Sequence, residues 1–425
     1  MSKAFTVTHR QLILFFSMVL VCALILSPFL LSVGMIALAV LGVFELSVQE
    51  GRPHVRWHYA GWQRLRNLHQ HPVFGVLLLI MLVPLLRFWP VDHPDYLLER
   101  LRIKVPFVVL PLAFVMLPRF DRRMLTTIFY TLLTCLFVTS LGVLFNYLQN
   151  YEVLTEILRR GHHIPTPRNH IRYSLLLAWG IVVGVHVYAE DWRLRYAWEP
   201  KIVLGITLYL FFFIHLLSVK SGLLILYICL LWMVLRWTAE RRSLAYGLLA
   251  LAGLVLVPIL ANYLIPSFAN KVDYFLYDIH QFLAGQGADH SDSGRLASYD
   301  AGIHVIQEAP FWGVGTSNIK AEITAYFQAH YPTYPQAFMP HNQFMYSWGS
   351  YGIIGAIVVY AAFLYPLFHR RNYRHHLFAV FMLSMLVITT IEHALENAVS
   401  IGHYLFFLLV FLSYLNRQPA TNENR

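Results

Sequence analysis

A succession of apolar runs, most of them long enough to cross a hydrocarbon layer, constrains this chain more than any other feature. A membrane-crossing helix needs about 20 mostly apolar residues, and backbone groups in lipid must be hydrogen-bonded within their own segment, so the runs predict helices. Twelve are read, at about 11–27, 29–48, 73–90, 103–118, 124–147, 171–188, 201–219, 222–238, 244–264, 342–368, 376–391 and 402–416. Composition agrees: 58% of the residues are hydrophobic and only 13% charged, far from the make-up of soluble domains. The expected fold is an all-α polytopic membrane helix bundle with about 12 transmembrane helices and one large, partly helical outer loop. The first run, Gln11 to Pro28, lacks a small-residue cleavage site and leads straight into the second, so it reads as a retained span. Cys22, Cys135 and Cys229 fall inside apolar runs without metal-ligand spacing, which predicts packing roles and no disulfide framework.

Lys and Arg placement sets the orientation. With the N-terminus inside, 20 of the 32 basic residues face the cytoplasm, giving a net +12 there against −2 outside. The formal charge of +10 is thus a topology signal and no nucleic-acid footprint. The chain divides into spans one to nine (1–264), a periplasmic loop (265–340), spans ten to twelve (341–416) and a cytoplasmic tail (417–425) that is expected to fray. Long loops in compact proteins usually carry function. The outer segments 149–170 and 392–400 are polar as well.

Residues with chemical potential gather on this outer side. In SDSGRLASYDAGIHVIQEAPFWGVG (291–315), helical spacing of Leu296, Tyr299, Ile303 and Ile306 predicts an amphipathic helix capped by Asp292 or Ser293 and stopped at Pro310. Arg295 in its first turn gains nothing from the helix dipole. It is either a surface ion pair with Asp292 or Asp300, or a clamp for an anion. Lys220, squeezed between spans seven and eight, is either a snorkelling anchor or a second anion ligand. PTPRNHIRYS (165–174) puts Arg168, His170 and Arg172 on one rim, more cations than helix anchoring needs. In PHNQFMYSWGSYGIIG (340–355), Pro340 and Asn342 fit a helix start, with Asn342 as cap, while His341 fits a general base near neutral pH. Gly352 and Gly355 read as close-packing positions. Glu392 and Glu396, one turn apart beside His393, read either as solvated turn residues or as holders of a polar substrate. Gly313-Val314-Gly315 is too short for a phosphate loop and reads as a turn. No metal site stands out, and the span midplanes are nearly free of ionisable groups, with His186 and His215 nearest. That disfavours an ion-coupled solute or flippase-like transporter.

The arrangement resembles the O-antigen ligase and polymerase superfamily of bacterial envelope glycosyltransferases. Ligases of that family carry a His followed by Asn, Ser or Gln, then nine residues, Gly, two residues, and Gly, Thr or Tyr after the large loop. His341, Asn342, Gly352 and Gly355 fit this pattern. The Arg295 helix with its PFWGVG continuation and the 165–174 rim are also similar to the family. Where the family commonly has Ser-Arg-Gly, this chain has Val219, Lys220, Ser221 and Gly222, which keeps the charge without the guanidinium fork. The resemblance implies inverting, metal-independent and cofactor-free transfer of a glycan from an undecaprenyl-diphosphate carrier. The acceptor it implies is a sugar hydroxyl of lipid A-core or another glycan, at the periplasmic face of the inner membrane. A polymerase acting on the same carrier is the alternative. In this reading His341 is the base, oriented by Asn342, Arg295, Lys220 and Arg172 neutralise the diphosphate, and Arg168 and His170 belong to the same substrate-binding rim. Glu392 or Glu396 holds the acceptor, and the loop's Tyr274, Phe275, Tyr277, Phe282, Tyr326, Phe327, Tyr331, Tyr334 and Phe338 suit sugar stacking or membrane lipid, although packing of the loop itself explains most of them.

Overall fold

The computed structural model describes residues 6–49, 51–87, 91–241, 243–284 and 291–415. The 417–425 tail, and Lys3 and Arg242, which count among the basic residues expected on the cytoplasmic side, lie outside the described residues. Among the described residues eight helices are long and apolar enough to cross a membrane: His9–Leu26, Arg122–Gln149, His170–Ala189, Glu199–Leu217, Lys220–Glu240, Leu244–Leu264, Gln343–Arg374 and Ala398–Leu415. Shorter apolar helices, Pro28–Val43, Pro72–Leu86 and His376–Ile391, fill in the bundle. Helices account for 79% of the structure, and the polytopic bundle expected from the apolar runs is what forms.

Burial separates the helices into centre and rim. His170–Ala189 and Ala398–Leu415 are each 78% buried over their most apolar window, whereas Leu244–Leu264 is 11% buried and turns its side chains outward. Aromatic rings close the centre: Trp179 packs at 5.1 Å from Phe381 and 5.7 Å from Phe407, separations at which tilted and edge-on rings attract. The three cysteines are free, as packing residues would be.

Two departures from the sequence expectation have local causes. The second span stops at Val43 instead of continuing to 48, because Phe44–Gln49 pairs antiparallel with Arg52–Trp57. The alternating FELSVQ pattern suits a strand, and Gly51 takes a turn conformation at φ +77°. The spans expected at 73–90 and 103–118 are not continuous. Pro72–Leu77 gives way to Leu79–Leu86, and a polar helix, Pro94–Lys104, precedes Pro106–Met116. Pro94 and Pro106 each open a new helix and set the breaks before them.

The outer segment is more ordered than expected, with helices at Pro266–Leu283, Ser291–Glu308 and Ile319–His330. It is clamped to the bundle through backbone. Val314 N–H donates to Gly349 O (2.8 Å), Gly315 N–H to Ser350 O (3.0 Å) and Ile353 N–H to Pro310 O (3.0 Å). Gly352 makes room for this contact: at φ +73° and ψ 174° it breaks the Gln343–Phe368 helix, and a Cβ there would lie 2.0 Å from Phe311 O. Arg87 locks the same turn, donating from Nε to Trp312 O (2.9 Å) and from Nη2 to Gly313 O (3.0 Å). The Gly313–Gly315 turn is therefore a structural latch.

Candidate active site

The site is built where four helix ends meet. The Gln343–Phe368 helix begins beside His341, and its N-cap is Asn342, whose side chain accepts from Met345 N–H at 3.0 Å and donates to Thr390 O at 3.2 Å. Asn342 thus fixes the helix start and its neighbour strand of backbone; it does not orient His341. Glu392 does. It follows the His376–Ile391 helix, and its Oε2 lies 3.3 Å from His341 Nδ1. Glu392 Oε1 accepts from Arg295 Nη2 at 2.8 Å, a contact that spans 97 residues of sequence. Arg295 therefore pairs with neither Asp292 nor Asp300. Asp292 is taken by Lys220, and Asp300 accepts from the hydroxyls of Tyr326 (2.7 Å) and Tyr331 (2.9 Å). The Arg295 helix is also not capped by its own Asp292 or Ser293. The buried carboxylate of Asp278 accepts from Asp292 N–H at 2.8 Å and Ser293 N–H at 3.2 Å.

His341 and Glu392 border a cavity of about 200 Å³ together with Arg172, Asn169, His393 and Asn397. Burial pushes the Glu392 carboxyl up, but the His341 hydrogen bond and the His341, Arg295 and His393 charges outweigh it and leave its pKa below the ordinary value. An ionised Glu392 has no proton to give, so Nδ1 of His341 must be the donor and Nε2 keeps the lone pair. That is the tautomer a general base needs. Burial, then the His341 charge, holds His393 down at about 4, so it sits beside the dyad as a neutral ring. One atom each of His341, Glu392 and His393 lies within 4.8 Å of the others, a spacing that suits a metal. The sequence does not announce this trio because two members come from a different helix end. Arg295 already supplies positive charge at Glu392 Oε1, where a cation would bind.

Because Glu392 has a depressed pKa, its contribution to stability is present above the unfolded value of about 4.3 and is lost as pH falls through the folded value. Melting of the native chain is expected to fall more steeply below about pH 4.3 than melting of Glu392→Gln, and the two curves converge in acid. Parallel curves across that window, recorded in detergent, would contradict the ionised assignment.

The other rim residues separate into two groups. Arg172 lines the cavity, and Arg168 next to it keeps Nε and Nη2 buried with no hydrogen-bond partner among the described residues. Burial lowers the Arg168 pKa. His170 stacks on His163 at 3.6 Å. Burial and the nearby Lys271 charge push His163 down to about 3. Lys271 itself is buried, donates to Gly161 O at 2.7 Å and is lowered to about 8 by burial and by Lys220. Sequence reading passed over Lys271 because it sits in an ordinary-looking amphipathic helix. Lys220 stands apart from the cavity, paired with Asp292 and 4.5 Å above the Phe275 ring. Glu396 is placed differently again. Its side chain is fully buried and ion-paired to Lys104 at 2.5 Å, so it faces the interior and not a substrate. It supports the site from beneath.

Residues 205–360 match the family model described as O-Antigen ligase. That segment is similar to the O-antigen ligase family. The superfamily expected from the His341 motif is the one matched. The matched part is rather more than a third of the chain's 425 residues. It holds Lys220, Arg295, His341, Asn342, Gly352 and Gly355, whereas the Arg168–Arg172 rim and Glu392 lie beyond it. No curated protein matches the chain. The match points to a glycosyltransferase-like ligase or polymerase activity on lipid-linked glycan.

Proposed function

We propose that the protein is an O-antigen ligase that transfers a glycan from undecaprenyl diphosphate to a sugar hydroxyl of lipid A-core at the periplasmic face of the inner membrane. The observation that carries the reading is the Arg295–Glu392–His341 relay beside a cavity that Arg172 lines. His341 Nε2 takes the proton from the acceptor hydroxyl as its oxygen attacks the anomeric carbon from the face opposite the diphosphate. The bond from that carbon to the diphosphate oxygen breaks, the configuration inverts, and undecaprenyl diphosphate leaves as an anion. A diphosphate leaves readily once its charge is met, so the protein's task is neutralisation and deprotonation, and no metal is needed for either. Arg172 lines the cavity and meets the charge there, and Arg168, four residues before it, holds donors without a partner among the described residues. Arg295 can exchange Glu392 for phosphate, and Lys220 lies further out toward the arriving carrier.

Orientation is supported by charge. The bundle end away from the site carries Arg10, Arg64, Arg119, Arg122, Arg236, Arg370 and Arg374 among its described residues, as a cytoplasmic end should. The test is a lipopolysaccharide gel of a strain lacking the gene. Loss of every glycan-capped band, with carrier-linked polymer still accumulating, supports the ligase. Capping by a single repeat assigns a polymerase, and an unchanged ladder removes both.

A further inference from the structure

We infer that the bundle end opposite the reaction site holds a binding site for the phosphate headgroup of an anionic membrane phospholipid. A cavity of about 450 Å³ opens there. Its polar wall consists of Gln63, Arg64, Asn67, Gln70, His71 and Arg119, and no carboxylate lines it. Its other wall is apolar, with Phe74, Phe114 and Leu117. Ser400 borders the reaction cavity and Ser413 borders this one, thirteen residues along the same helix, which is about 20 Å at 1.5 Å per residue. The two sites are therefore separate.

The cations here are not consumed by the fold. Arg64 donates from Nη2 to Met116 O at 2.6 Å, but its Nε is buried without a partner among the described residues. Arg119 is exposed. Burial lowers the His71 pKa, and Arg370, Arg119, Arg64 and His69 all lower it further with no carboxylate among the opposing causes. An unneutralised positive field beside amide donors suits a phosphate, since guanidinium and amide N–H groups match its oxygens. The apolar wall distinguishes a lipid from free phosphate, because an acyl chain can follow Phe74 and Phe114 away from the headgroup. Depth fits as well. The neighbouring Trp57, Tyr59 and Trp62 are 65%, 69% and 37% exposed, and such rings sit at headgroup level in membranes.

The test uses the purified full-length chain in detergent, titrated with phosphatidylglycerol while thermal melting is recorded. Phosphatidylcholine and inorganic phosphate serve as comparisons. Phosphatidylglycerol is expected to raise the melting temperature saturably, as a ligand of the folded state must, and the other two are expected to leave it unchanged. Arg119→Gln should raise the half-saturating concentration about fivefold with melting in the absence of lipid unaltered. Arg123→Gln, at the same end but outside the cavity, should titrate like the native chain. An equal rise with phosphatidylcholine would make the effect purely apolar, and an equal rise with inorganic phosphate would reassign the site to a free anion. Native titration of Arg119→Gln would overturn the proposal outright.

Discussion

Replacing His341 by alanine is expected to reduce glycan transfer by about 10²- to 10⁴-fold, the range a positioned general base supplies, without lowering the amount of protein in the membrane. His341 is 19% exposed, and its side chain hydrogen-bonds to Glu392. Truncation therefore removes the base and leaves the bundle core in place. Glu392→Gln should retain the volume while losing the charge that holds Nδ1–H, and transfer should drop by more than about tenfold. It also frees Arg295, whose partner disappears. Transfer is measured with purified variants against a matched native sample. Full activity in His341→Ala would end the assignment of the base.

The largest stability effect should come from the pair beneath the site. Lys104 and Glu396 are 2% and 0% exposed and lie 2.5 Å apart. Gln343 ties Glu396 to the turn, donating to its Oε1 at 3.3 Å and accepting from Leu395 N–H at 2.8 Å. Arg100 Nη1 donates to the Glu396 carbonyl at 3.1 Å. Removing Lys104 leaves Glu396 with only the Arg100 guanidinium, 4.0 Å away, so Lys104→Met alone should cost toward the lower end of about 3–5 kcal/mol. Lys104→Met combined with Glu396→Gln should recover most of that loss, because no buried charge is left unpaired. Melting in detergent reads both. A single variant that melts with the native chain would show that the pair contributes little. Because the 392–396 turn carries Glu392, the single variant should also slow transfer, and the double variant should restore it in part.

The membrane fold was legible because lipid admits few structures: an apolar run of sufficient length has to become a helix, and the runs did. What escaped was set by contacts across the chain. The stop at Val43 depends on strand pairing with Arg52–Trp57, and the break at Val105 depends on Pro106, which opens the next helix. At the site, residue types and their side of the membrane could be read locally, so His341, Arg295 and Arg172 fall around one cavity mouth. Their partners could not. Arg295 had nearer acids at Asp292 and Asp300, yet pairs with Glu392 because the His376–Ile391 helix delivers that carboxylate to it. Glu392 and Glu396, alike in sequence, part ways because the short turn between them aims one outward and the other toward Lys104.

The most direct test of the account reconstitutes the purified chain with undecaprenyl-diphosphate-linked glycan and lipid A-core, without added metal and with chelator present. It follows both glycan on the acceptor and undecaprenyl diphosphate released. The account predicts the two products in equal amounts, with both lost together in His341→Ala. Release without transfer, or transfer that requires a divalent metal, would contradict it.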